Sequence, residues 1–203
     1  IGLGFDSIKY MGLDFGKGDF TVSVKDGLAT VPLFAVPLNG GALNLGLSTD
    51  ITSENILLKV DENLQLLDSV NINDELSNEL LKFVNPIFAG SVSSSGQFNV
   101  LCRKLEMPLK EDILDNMIAD AQIEIEDLRI QPAGMLRQIL ELTNLRSGQI
   151  VALGISPTNI NIADGRLSYD EMLIYLAGKP VSFGGSIAFA GDIDMNTKVP
   201  YTY

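Results

Sequence analysis

Asn159-Ile160-Asn161-Ile162-Ala163-Asp164-Gly165-Arg166-Leu167-Ser168-Tyr169 is the stretch that decides the fold. Apolar and polar side chains alternate on both sides of Asp164-Gly165: Ile160 and Ile162 before it, Leu167 and Tyr169 after it. Alternate side chains leave opposite faces of an extended strand, so each arm presents one apolar face. Asp-Gly supplies the two consecutive positive φ angles that a tight type I′ hairpin turn requires. The same signal stands at Asp26-Gly27, between the runs Phe20 to Lys25 and Leu28 to Val31, and Asn39-Gly40-Gly41 is a third candidate turn.

Outward from these hairpins a local pattern recurs: Gly, any residue, apolar, any residue, apolar. It appears at Gly18 to Val22, Gly41 to Leu45, Gly96 to Val100, Gly165 to Tyr169, Gly185 to Phe189 and Gly191 to Met195. Each is a permissive turn or bulge residue feeding a strand with one apolar face. Such a pattern arises in any antiparallel meander and does not establish a true repeat. It predicts strands near 4–14, 18–25, 28–36, 42–50 and 55–60, then 93–105, 118–130, 149–153, 157–163, 166–177 and 180–197. The apolar parity of Ala121, Ile123 and Ile125 changes at Leu128 and Ile130, which predicts a bulge around Glu126-Asp127.

Two segments leave this rhythm. Between Asn73 and Ala89, Leu76, Leu80, Phe83, Val84, Ile87 and Phe88 follow helical spacing, with Asn73 as N-cap and Asp74 and Glu75 at the positive helix end. Pro86 ends the regular helix near Val84 or opens a second turn. Between Pro132 and Asn144, Pro132 suits a first helical turn, and Met135, Leu136, Ile139, Leu140 and Leu142 supply an apolar face. Helices this short are marginal alone, so both are expected to pack on one face of the sheet. The expected fold is mainly β (α+β): a long curved antiparallel meander with two short helices on one face, a single β-rich unit over 1–203 with a weak internal boundary near 106–117.

Composition narrows the chemistry. Fourteen basic against 26 acidic residues give a net charge of −12, which repels nucleic-acid phosphates and anionic membrane surfaces at long range. With no histidine, the commonest general base and transition-metal ligand is missing, and Cys102, the single cysteine, has no internal disulfide partner. Set among strand-like residues, Cys102 reads as a buried structural thiol. Asp192, Asp194 and Asn196 have the spacing of the first half of a calcium loop, yet its glycine and distal bidentate Glu are missing, and residues two apart on a strand simply share a face. Asp170 and Glu171, adjacent on a strand, point apart and cannot share acid and base roles. The Gly-rich pairs at 40–41 and 184–185 lack the Lys-Ser/Thr of a phosphate loop. No metal, cofactor or catalytic set is therefore expected, and the chain reads as non-enzymatic.

The chain starts at Ile1 without an initiator Met or a leader, and it contains no apolar run of about 18 residues that would span a bilayer. It reads as a segment of a larger protein, any anchor lying outside it. Apolar runs on both parities, Val31 to Leu38 and Ile56 to Val60, call for cover on both sheet faces or leave one face as an apolar groove.

Asn73-Asp74-Glu75-Leu76 through Leu80-Leu81, Asn85-Pro86-Ile87-Phe88-Ala89-Gly90, Ser95-Gly96-Gln97-Phe98-Asn99-Val100 and Met107-Pro108-Leu109 follow one another as short helix, "NP.FAG", Gly-led strand and "PL". In that order of parts the chain resembles AsmA-like proteins, large bacterial envelope proteins related to the bridge-like lipid-transfer class. The tail from Asp164-Gly165 to Pro200 looks like the closing strands of such domains. Together these parts cover about half the chain. The resemblance implies a curved sheet whose concave apolar face holds acyl chains, in the periplasm or attached to an envelope membrane, with no catalytic residues to carry over. On that reading Phe20, Val22, Leu43, Leu45, Phe98 and Ile187, each an apolar position of the recurring pattern, line the groove. The competing reading is a structural or adhesive β-module of a large exported protein, its strands fully packed. A hydrolase would need clustered carboxylates in a pocket, whereas the acids here are scattered over turns.

Overall fold

The computed structural model describes residues 1–89, 91–109, 112–142, 150–176 and 178–199. It is mainly β, with one large antiparallel sheet and a few short helices. The strands are β1 (Gly2–Phe5), β2 (Ile8–Tyr10), β3 (Leu13–Phe15), β4 (Gly18–Thr21), β5 (Ser23–Lys25), β6 (Leu28–Leu38), β7 (Gly41–Asp50), β8 (Leu57–Val60) and β9 (Leu64–Asn71). They continue as β10 (Ser93–Pro108), β11 (Ile118–Gln131), β12 (Val151–Ile155), β13 (Thr158–Ala163), β14 (Arg166–Leu176), β15 (Lys179–Ala188) and β16 (Ile193–Lys198). The helices are α1 (Asp74–Glu79), α2 (Ile113–Asn116) and α3 (Gly134–Leu142), with 3-10 turns at Leu81–Phe83 and Pro86–Phe88.

Fourteen strands form one sheet, in the order β16-β15-β14-β12-β11-β10-β8-β7-β6-β3-β2. Beside this path β13 lies in the same row as β12, β9 in the row of β8, and β5 next to β6. Every pairing is antiparallel, and β1 and β4 make a separate two-stranded ribbon. The hairpin turns form as their residues require: φ is 51° and 81° at Asp26 and Gly27, 45° and 78° at Asn39 and Gly40, and 51° and 68° at Asp164 and Gly165. The bulge falls where the parity shift puts it. Ser95 pairs with Arg129 and Gln97 with Glu126, and Asp127 takes a φ of 49°. That extra residue keeps Ile125, Leu128 and Ile130 on one buried face.

The core lies on that face. Val70, Phe98, Ile123, Ile130, Leu153, Met172, Ile174 and Val181 all contribute to it from the strands. Leu76, Leu81, Ile87, Phe88, Leu136, Ile139 and Leu140 lie over it from the two helical segments. The helices thus pack on one face, and burying one such Leu is worth roughly 1.5–3 kcal/mol. Asn73 caps α1 by accepting the Leu76 N–H at 2.8 Å, and Asn85 caps the turn at Pro86 by accepting the Ile87 N–H at 3.0 Å.

Several elements differ from the sequence pattern. The expected strand at 4–14 is three strands: the chain breaks at Asp6-Ser7, where β1 leaves for its ribbon with β4, and Met11 and Gly12 turn between β2 and β3 with φ of 50° and 80°. A Cβ at Gly12 would collide with the backbone of Leu76, so this turn abuts the start of α1. The run 180–197 is likewise a hairpin of β15 and β16, turning through Gly191. Strand β9 has no counterpart in the pattern, since Ser69 at φ 54° and two register shifts against β10 scramble its alternation. Pro132 precedes α3 rather than opening it, and residues 143 and 144 lie outside the described residues. A third helix, the single turn α2, occupies part of 106–117, while β10 and β11 pair along their length on either side of it.

Candidate ligand-binding face

Alternation along Gly41-Ala42-Leu43-Asn44-Leu45-Gly46-Leu47 sends three leucines to one face of β7. Register carries that face across the sheet. Leu43, Leu45 and Leu47 stand opposite Val36, Phe34 and Val31 of β6, and on the other side Leu43 pairs with Leu67 and Leu47 with Val60. A register shift at Pro32-Leu33 keeps Val31 and Phe34 aligned with the leucines. Leu67 in turn faces Val100 of β10, which belongs to the core. The apolar face of β6 and β7 is therefore the same face that the helices cover further along the sheet.

Cover is unequal along it. Val36 and Leu38 are buried, whereas Leu43, Leu45, Leu47, Leu58 and Met107 are half-buried. Leu43 packs at the margin of the core, and the core cluster includes none of Leu45, Leu47 or Leu58. What does lie here is the β1–β4 ribbon: the rings of Phe20 and Phe34 stack with centroids 5.1 Å apart, and Gly18 sits between the Phe5 ring and Val36. A Cβ at Gly18 would displace the Phe5 ring within the ribbon and crowd Val36.

Of the six residues expected to line a groove, the structure brings Phe20, Leu43 and Leu45 to this end, joined through Phe34 and Val36. Val22 is half-buried nearby, between β4 and β5. Its N–H donates to the Ile1 carbonyl at 2.8 Å, and its carbonyl accepts from the Ile1 backbone nitrogen at 2.8 Å. Phe98 is 4% exposed and belongs to the core under the helices. Ile187, 2% exposed, pairs with Leu167 on the far side of the sheet. These two do not join the other four. Phe34 and Leu47, which complete the face, were missed because neither occupies the Gly-led pattern, though both lie on strands with alternating apolar residues.

Two clefts of ≈ 470 and ≈ 610 Å³, lined by both polar and apolar groups, adjoin at Asp14 and Asn73, beside the β2–β3 turn. The side-chain amides of Asn39 and Asn73 are engaged within the protein. Asn39 donates to the Gly12 carbonyl at 2.8 Å and accepts the Asp14 N–H at 2.7 Å, and Asn73 donates to the same Gly12 carbonyl at 2.9 Å. Lys9 pairs with Asp14 at 2.8 Å, and the hydrogen bond to that carboxylate raises the ammonium's pKa. This corner clamps the sheet to α1.

Among the described residues no group of three or more carboxylates or thiols is placed to hold a metal ion. Asp170 and Glu171 fall at a register shift between β14 and β15, where Glu171 accepts the Ser182 hydroxyl at 2.8 Å. Cys102 is buried, and desolvation, with the Asp120 charge second, pushes its thiol pKa up, away from the reactive thiolate. No helix among the described residues is long and apolar enough to cross a membrane. No family model matches the chain, and no curated protein or solved structure matches it either.

Proposed function

We propose that this chain is a non-catalytic lipid-handling module of the AsmA-like kind, serving in the cell envelope, which takes apolar chains on the sheet face formed by β6, β7 and β8. One observation carries the reading: Leu43, Leu45 and Leu47 continue the core face of the sheet beyond the helices and are only half-buried there. A row of leucines flanked by Phe34, Val36 and Val60 offers an acyl chain contact along its length. The net charge of −12 disfavours anionic headgroups and favours neutral lipids or the acyl part of a lipid. A fluorescent fatty-acid analogue should bind with micromolar affinity or better, about −8 kcal/mol, and be displaced by phospholipid. Absence of saturable binding to folded protein would remove the reading.

A second reading, a structural or adhesive β-module of a larger exported protein, draws on the full packing of Phe98 and Ile187 and on the ribbon seated over Phe34. Native mass spectrometry separates the two: co-purifying acyl lipid supports the first, and an empty, stable protein supports the second.

A further inference from the structure

Among the described residues the large sheet ends at two edges, and these are built differently. At one end the outlying strands β2 and β5 are three residues each, and strands this short make a poor template for pairing. At the other end β16 runs six residues in unbroken register on β15, from Ser182 opposite Lys198 to Ile187 opposite Ile193. It contains no proline and no bulge. Among the described residues β16 pairs with β15 alone, so the backbone groups on its outer side have no ladder partner.

The side chains of β16 divide by face. Ile193, Met195 and Thr197 stand opposite Ile187, Gly185 and Phe183, on the core side, while Asp194, Asn196 and Lys198 point the other way. No charge faces inward, and an inward charge is one of the devices by which edges repel a neighbour. Instead Ile193 is a large apolar side chain, 57% exposed, at the rim of the core face.

We propose that β16 is a two-fold interface at which two copies of this chain join antiparallel into one continuous sheet. A two-fold axis normal to the sheet pairs residues that share a face, which fixes the parity of the register. Centred on Asn196, this register sets Asp194 against Lys198 of the partner subunit, and by symmetry Lys198 against the partner's Asp194. It also sets Met195 against the partner's Thr197 and Ile193 against the partner's Val199, extending the apolar face across the axis. The next allowed register, centred on Met195, sets Asp194 against the partner's Asn196 and takes Asp192 from beyond the strand, so it forfeits the charge match inside the ladder. Opposite charges directly across a ladder stabilise it and like charges weaken it, and the symmetry doubles either effect. The charge of −12 on each copy opposes association at long range, which physiological salt screens beyond about 8 Å.

Sedimentation equilibrium of the 203-residue chain at physiological ionic strength tests this. A reversible species of twice 21.9 kDa is expected. Asp194→Lys and Lys198→Asp should each weaken it at least about tenfold, while the double charge swap restores it. Both substitutions lie on the exposed face, and circular dichroism checks that each of the three variants folds. Hydrogen exchange should show β16 amides gaining protection as the dimer forms. A wild-type chain that stays monomeric throughout a concentration series overturns the proposal, as does a dimer indifferent to both single swaps.

Discussion

Asn85 donates its side-chain amide to the Tyr169 hydroxyl at 3.0 Å, and both side chains are buried. The bond ties the 3-10 turn at Pro86–Phe88 to β14, 84 residues along the chain. The same amide approaches the Met172 sulfur at 3.6 Å while its oxygen caps the Ile87 N–H. A helical cap and a strand thus share one polar contact inside an apolar core, where an unmatched donor is costly.

Tyr169→Phe leaves the Asn85 amide with only a weak sulfur acceptor. The unfolding free energy should fall by about 1–3 kcal/mol with an unchanged denaturant slope. Urea titration of the two proteins measures it, and equal midpoints would show that the hydrogen bond contributes nothing net.

The same phenol weakens the folded state at high pH. Burial raises its pKa well above the ordinary value, a shift that the Asn85 hydrogen bond only partly offsets. The folded state then keeps a proton that the unfolded state releases near pH 10, so this contribution is whole below about pH 10 and shrinks as pH rises further. In an ultraviolet phenolate titration one of the five tyrosines should ionise only in step with the loss of circular dichroism. That component should vanish in Tyr169→Phe; five tyrosines titrating without unfolding would contradict it.

Leu76 is fully buried and Leu80 only partly so, although the two share a helical stripe. The chain leaves α1 for a tighter 3-10 turn at Leu81, which rotates Leu81 inward and Leu80 toward the surface. Leu76→Ala should therefore cost about 2–5 kcal/mol, and Leu80→Ala distinctly less. Similar losses for both, by chemical denaturation, would mean that the stripe stays regular through residue 80.

Features resting on a residue's own backbone chemistry were legible in the sequence. Asp26-Gly27 and Asp164-Gly165 turn because they tolerate positive φ, Asn73 caps because its oxygen reaches Leu76, and the parity break before Leu128 marks a real bulge. What escaped was forced from outside. Met11 and Ser69 take φ of 50° and 54° although neither is a residue type that favours it, and the single Gly12 is a weaker signal than an Asp-Gly or Asn-Gly pair, which hides the β2–β3 hairpin and β9. The candidate face shows the same limit. Alternation correctly sends Leu45 and Phe98 to an apolar face, yet only tertiary packing determines that helices lie over Phe98 and not over Leu45.

Asn39 and Asp26 begin equivalent turns, with φ of 45° and 51°, but only Asn39 also bonds to Gly12 and Asp14. Glycine accepts positive φ freely, so substitution by glycine isolates those bonds from backbone strain. Asp26→Gly should leave the thermal midpoint within a degree or two, whereas Asn39→Gly should lose about 1–3 kcal/mol by urea titration. Matching effects would show that the clamp between the β6–β7 turn and the β2–β3 hairpin carries no weight.

The six apolar residues singled out from the pattern should respond in four different ways when each is replaced by Asp. Leu45 is half-buried on the face left open by the helices, so its variant should fold, and Leu43, packed at the margin of the core, should give a folded but less stable variant. A charge there opposes an apolar ligand, and affinity for the fatty-acid analogue should drop at least about tenfold, or 1.4 kcal/mol. Phe20 holds the ribbon through Phe34, so its variant should change affinity and also loosen β1 and β4, seen as faster hydrogen exchange there. Val22 is tethered through its backbone to Ile1, which a side-chain change leaves in place, and its variant should show the smallest effect. Phe98 and Ile187 are buried, and a carboxylate at either should unfold the protein before binding can be read. If Leu45→Asp stays folded by circular dichroism and still binds the analogue as the parent chain does, the open face of β7 is not where lipid lies.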